Sequence, residues 1–123
     1  MGGIMTELRS GSLETPHETR TFDKGKAELI SLGDATVGRL TMEAGWRWAD
    51  SVKPLVGTDS CQNHHMGVAT AGHMHVEMGD GSSLEIVPGD VYEIPPGHDA
   101  WTVGDEAFIG FEFKSAAQYA KPQ

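Results

Sequence analysis

The clearest alternation in the chain runs over residues 73–78, where Met74, Val76 and Met78 interleave with His73, His75 and Glu77. Period-two patterning of this kind predicts a strand with one apolar and one polar face. The same rhythm places Leu40 and Met42 opposite Arg39, Thr41 and Glu43 within residues 35–43. Gly33-Asp34 joins that segment to the strand-like run at residues 27–32, which predicts a half-buried hairpin. Asp80-Gly81 is a second hairpin turn, ahead of a strand over residues 84–87. Pro88-Gly89-Asp90 then turns into a short strand at residues 91–94, and Pro95-Pro96-Gly97 turns again. Residues 101–103 continue a strand, Gly104-Asp105 turns, and residues 107–113 supply a last core strand with Phe111 and Phe113 on one face. Roughly eight short strands separated by turn signals, with no amphipathic helix of useful length, predict an all-β barrel or jelly roll.

The remaining segments are less regular. Residues 1–20 are polar and rich in Gly, Ser, Thr and Glu, and are expected to form a flexible N-terminal arm. The barrel is expected over residues 21–115, with a C-terminal tail at 116–123 and a short helical turn after Lys114. Trp46 and Trp48 stand two apart and so share one side of an extended segment, either as core packing or as the apolar wall of a pocket. Residues 50–59 read as a loop broken by Pro54 and Gly57, with Lys53 as its one cation.

Composition narrows the function more than the fold. A chain of 123 residues fits one domain, so a single barrel carries whatever chemistry there is. Eighteen acidic residues against nine basic ones give a net charge of -9. That sign opposes the counterion-release attraction that drives nucleic-acid binding, and it disfavours anionic membranes equally. Cys61 is the lone cysteine, which excludes an intrachain disulfide and makes a cytoplasmic setting the expectation. No apolar run has the length of a signal peptide or a membrane span. Gly2 to Thr6 satisfies the short myristoylation pattern MGxxxT, which often occurs by chance.

The stretch GDVYEIPPG at residues 89–97 matches the GxxxxxPxG half of the second sequence motif of cupins, with Pro95 and Gly97 in their expected places. The chain resembles a cupin over about residues 37–113. The resemblance implies a double-stranded β-helix, the cupin jelly-roll barrel, and a homodimer formed through its sheets. In metal-bearing cupins two histidines and a glutamate of the first motif, GxxxxxHxHxxxxExxxxxxG, and a histidine of the second converge on one ion. Here His65 occupies the glutamate position when counted back from Gly72, and neither register yields the HxH pair. In the second motif the histidine position falls on Ala100. His98 lies two residues earlier, and a shift of two keeps the same strand face.

His65 and His98 are therefore the candidate metal ligands, with additional donors to come from His64, Cys61, Asp59, Tyr92 or water. His64 and His65 are adjacent, so only one faces inward in a regular strand. The literal HxH of the chain, His73-Met74-His75, is expected on the outer face, because its alternation sends Met74 and Val76 to the core. Asp99 is expected to point away from His98. Trp46, Trp48, Lys53, Cys61, Tyr92 and Trp101 are the candidate lining of a small-molecule pocket, with Lys53 orienting a carboxylate or phosphate at the barrel mouth. The function these residues suggest is a divalent-metal enzyme (Zn, Fe, Ni or Mn) acting on a small organic molecule. The alternative is a metal-free cupin that binds a small ligand without catalysis.

Overall fold

The structure, a computed structural model, describes residues 7–113. The myristoylation pattern, the start of the expected arm and the expected tail lie outside the described residues. Among the described residues nine strands form two antiparallel sheets: β1 (Glu18–Phe22), β2 (Gly25–Leu32), β3 (Ala35–Met42), β4 (His65–Ala71), β5 (Met74–Met78), β6 (Ser83–Ile86), β7 (Val91–Ile94), β8 (His98–Thr102) and β9 (Phe108–Glu112). The larger sheet has the order β1-β2-β3-β9-β4-β7, and the smaller one β6-β5-β8. Their inner faces enclose a core that includes Leu40, Met42, Met74, Val76, Ile86 and Phe108. Strands this short cannot bury a face alone, so the two sheets close on each other as a jelly-roll barrel. No helix among the described residues is long and apolar enough to cross a membrane.

The predicted β2–β3 hairpin forms around Gly33-Asp34, pairing Leu32 with Ala35 at the turn and Gly25 with Met42 at the far end. β1 starts at Glu18, inside the stretch expected as a flexible arm, and pairs along β2. The segment before it is held too: Arg39 donates to the Glu14 carboxylate at 2.9 Å, to the Leu13 carbonyl at 3.2 Å and to buried Glu28 at 3.0 Å. A guanidinium has enough donors to tie three acceptors at once, which polar composition alone does not reveal.

The loop expected over residues 50–59 is instead led by two helical turns, α1 (Trp48–Ser51) and α2 (Lys53–Val56). The residues read as breakers set their limits. Pro54 lies in the first turn of α2, where its missing N–H is not needed, and Gly57 caps the end at φ 76°. Phe111 and Phe113 do share a face, but it is the outer one, since Phe108, Gly110 and Glu112 point inward. Strand parity thus puts a carboxylate into the barrel where an aromatic pair was expected.

Candidate metal centre

β4 enters the barrel with His65, Gly67 and Ala69 inward, which leaves Met66 and His64 outside. β8 does the same with His98, Ala100 and Thr102. The two imidazoles meet inside the barrel with ring centroids 4.9 Å apart and planes at 65°. Cys61 joins them because a single antiparallel bridge ties it to His98: its N–H donates to the His98 carbonyl at 2.8 Å. Cys61, His65 and His98 are 4%, 4% and 3% exposed. One ligand atom from each lies within 4.8 Å of the other two.

The hydrogen bonds around the rings decide which nitrogen faces inward. The Pro95 carbonyl only accepts, so at 2.7 Å it takes a proton from His98 Nδ1 and leaves Nε2 as the basic nitrogen. His65 Nδ1 donates to Glu112 Oε1 at 2.7 Å, while His65 Nε2 lies 3.6 Å from Cys61 Sγ. Glu112 is itself buried and accepts a second bond, from the Tyr92 hydroxyl at 2.8 Å. Space for this pair comes from two glycines. A Cβ on Gly110 would stand 2.4 Å from the Tyr92 hydroxyl, and one on Gly67 would stand 2.9 Å from both that hydroxyl and Glu112 Cγ.

Charge follows from this geometry. Burial opposes ionisation of the Cys61 thiol, but the hydrogen bond and charge of His65, with His98 beside it, bring it down to about 6. Burial likewise opposes a charged His65, and the Glu112 carboxylate with the bond to Cys61 lifts it to about 10. Both shifts run toward a thiolate on Cys61 and an imidazolium on His65, with Glu112 behind the ring. Tyr92 is pushed up by burial and by Glu112, so it stays a hydroxyl donor.

The donor types suit a transition-metal ion, and one pair already has the spacing. Two ligands on one tetrahedral zinc, sulfur at about 2.3 Å and nitrogen at about 2.05 Å, stand about 3.6 Å apart, which is the Cys61–His65 separation, and His98 stands within 4.8 Å of both. A metal-binding histidine normally gives its other N–H to a carboxylate or backbone carbonyl, and His65 and His98 do one each. An ion here would take the place of the proton between Cys61 and His65.

Beside the donors lies a cavity of about 40 Å³. Of the residues expected to line it, Trp46, Trp48 and Tyr92 do, and Cys61 sits at His65. Lys53 and Trp101 do not line it. Lys53 begins α2 on the outside, with its ammonium 3.9 Å from Asp59. Trp101 has the outward parity of β8, stacks on His75 at 4.4 Å and lies under Arg47. Of the other suggested donors, Asp59 is fully exposed and His64 bonds to Glu93 on the surface at 2.7 Å. Glu112 was missed by sequence reasoning. The signal that finds it is its two-residue step from Gly110 and four-residue step from Phe108, which put it on the inward face.

No protein-family model and no curated protein matches the chain. Solved structures do. A sugar phosphate isomerase of the cupin superfamily from Silicibacter pomeroyi is similar at a TM-score of 0.60 and 16% identity, over 85% of this chain and 74% of that one. KdgF from Halomonas sp. gives 0.55 and 17%, over 80% and 86%. A cupin-like protein from Thermotoga maritima gives 0.52 and 17%, over 80% and 72%. At such identities it is the fold that is shared, and it is the cupin fold.

Proposed function

We propose that this cupin barrel is a metal-dependent enzyme on a small organic molecule, with Cys61, His65 and His98 holding a divalent transition-metal ion. The observation that carries the reading is the convergence of three buried donors whose orienting bonds are already in place. Three protein ligands leave one tetrahedral position open, the arrangement of catalytic rather than structural zinc sites. A bound ion supplies Lewis acidity or an activated water. The residues of the chain do the rest: Glu112 and the Pro95 carbonyl fix the ring tautomers, Tyr92 holds Glu112, and the apolar walls exclude bulk water. One thiolate beside two imidazoles suits zinc or iron better than manganese, which prefers oxygen donors.

Elemental analysis of protein purified without a histidine tag tests this. The expected result is about one zinc or iron per chain, lost in Cys61→Ser and His98→Ala. Absence of any transition metal, even after anaerobic loading, would sink the proposal. A second reading is favoured by the same residues without an ion, since thiolate, imidazole and carboxylate stand in the order nucleophile, base and orienting group. Rapid alkylation of Cys61 by iodoacetamide that bound zinc does not slow would favour that reading over the first.

A further inference from the structure

Resting on the metal reading, we infer that the ligand of this cavity is a compact, uncharged molecule, a hydrocarbon body with one donor oxygen for the ion, in the class of a small amide, ketone or alcohol. Charge is the first argument. A divalent ion on the Cys61 thiolate and two neutral imidazoles keeps one net positive charge, and Glu112 beside His65 supplies one negative. The interior is therefore neutral before a ligand enters, and an anion would be buried without a countercharge. Among the described residues no lysine or arginine lines the cavity. Arg47 is tied to Asp99 at 2.9 Å on the outer face, and Lys53 lies outside. A sugar phosphate, the kind of substrate named for the Silicibacter neighbour, would bring a dianionic group to a cavity that no lysine or arginine among the described residues lines.

Size and wall chemistry point the same way. A space of about 40 Å³ admits only a compact ligand. Met42, Met74, Val76, Ile86 and Phe108 offer no hydrogen bonds to hydroxyls, so a polyol would lose much of its solvation unrepaid.

Three probes of graded charge decide the matter: propionamide, propionate with the same skeleton, and glycerol 3-phosphate, each titrated into the cobalt(II)-loaded protein and read from its visible spectrum. Propionamide should perturb the spectrum at a concentration at least about tenfold below propionate, and glycerol 3-phosphate should leave it unchanged. An anion that binds as tightly as the amide, or a silent amide, overturns the inference while leaving the metal reading intact. Failure to take up cobalt overturns the metal reading instead. The same probes titrated into metal-free protein against tryptophan fluorescence then judge the cavity, where an anion matching the amide again counts against it.

Discussion

Two clusters of two histidines and at least one glutamate occupy this small barrel, one inside and one outside. Inside, His65 and His98 come from strands distant in sequence, each gives its Nδ1 proton to a fixed acceptor, and the remaining nitrogens face a buried thiol. Outside, His73 and His75 are near neighbours in sequence and spell the HxH pair that metal-binding cupins carry. Yet both spend ring nitrogens on the exposed carboxylate of Glu85, and His75 also meets Glu77 at 3.4 Å and stacks on Trp101. The comparison teaches that strand face and the partner of the second nitrogen, rather than motif spelling, decide which histidines are disposed to hold an ion.

The sharpest way to break the comparison is to delete donors on each side. His65→Ala, His98→Ala or Cys61→Ser should each weaken zinc binding more than about a hundredfold, above the loss expected for an orienting partner alone. His73→Ala with His75→Ala should change it less than about twofold, within the ordinary effect of surface substitution. Equal losses in a competition titration with a chromophoric chelator would erase the distinction between the clusters. Next in size is Glu112→Gln, which keeps the shape but not the charge behind His65. It should weaken zinc by about ten- to a hundredfold, while Glu85→Gln should not.

Gly110→Ala probes the packing that only the inner cluster needs. The new methyl meets the Tyr92 hydroxyl, so the expected cost is about 1–3 kcal/mol in urea denaturation, together with loss of the Tyr92–Glu112 bond. Unchanged stability would mean that the Tyr92–Glu112 pair does not need that space.

The smallest expected effect belongs to the outer cluster and is a pH dependence. Hydrogen bonds from His73 and His75 lower Glu85 from its ordinary 4.5, and the bond to Glu85 raises His75 from its ordinary 6.5. The carboxylate's contribution is present above pH 4.5 and is lost as pH falls through the lowered value. The imidazolium's contribution is present below pH 6.5 and is lost as pH rises through the raised one. Both act together between 4.5 and 6.5. The small Tm gap between the wild type and Glu85→Gln should be widest there and close toward alkaline pH. A gap that grows with pH contradicts the sign.

Much of the fold was legible because its turns are spelled in glycine, proline and aspartate. The β2–β3 hairpin and β7 fall where alternation and turn residues put them. The inward faces of His65 and His98 were legible through the cupin resemblance, since His65 falls on the family's glutamate position and His98 two residues before its histidine position. Three features were not. Pro54 and Gly57 read as breakers although they begin and cap a helical turn, because single residues do not say on which side of a boundary they act. Glu112 lies between two phenylalanines that seemed to own the core face, and only its step from Phe108 gives it away. Cys61 was among the candidate donors, but its route to the site is one bridge to β8, a long-range pairing that no local pattern encodes.

X-ray absorption at the zinc edge of the loaded protein tests the central claim most directly. The account predicts a sulfur shell at about 2.3 Å with a count of one, beside imidazole nitrogens at about 2.0–2.1 Å, with the sulfur removed by Cys61→Ser. A zinc ion surrounded only by nitrogen and oxygen, and unaffected by that substitution, would contradict it.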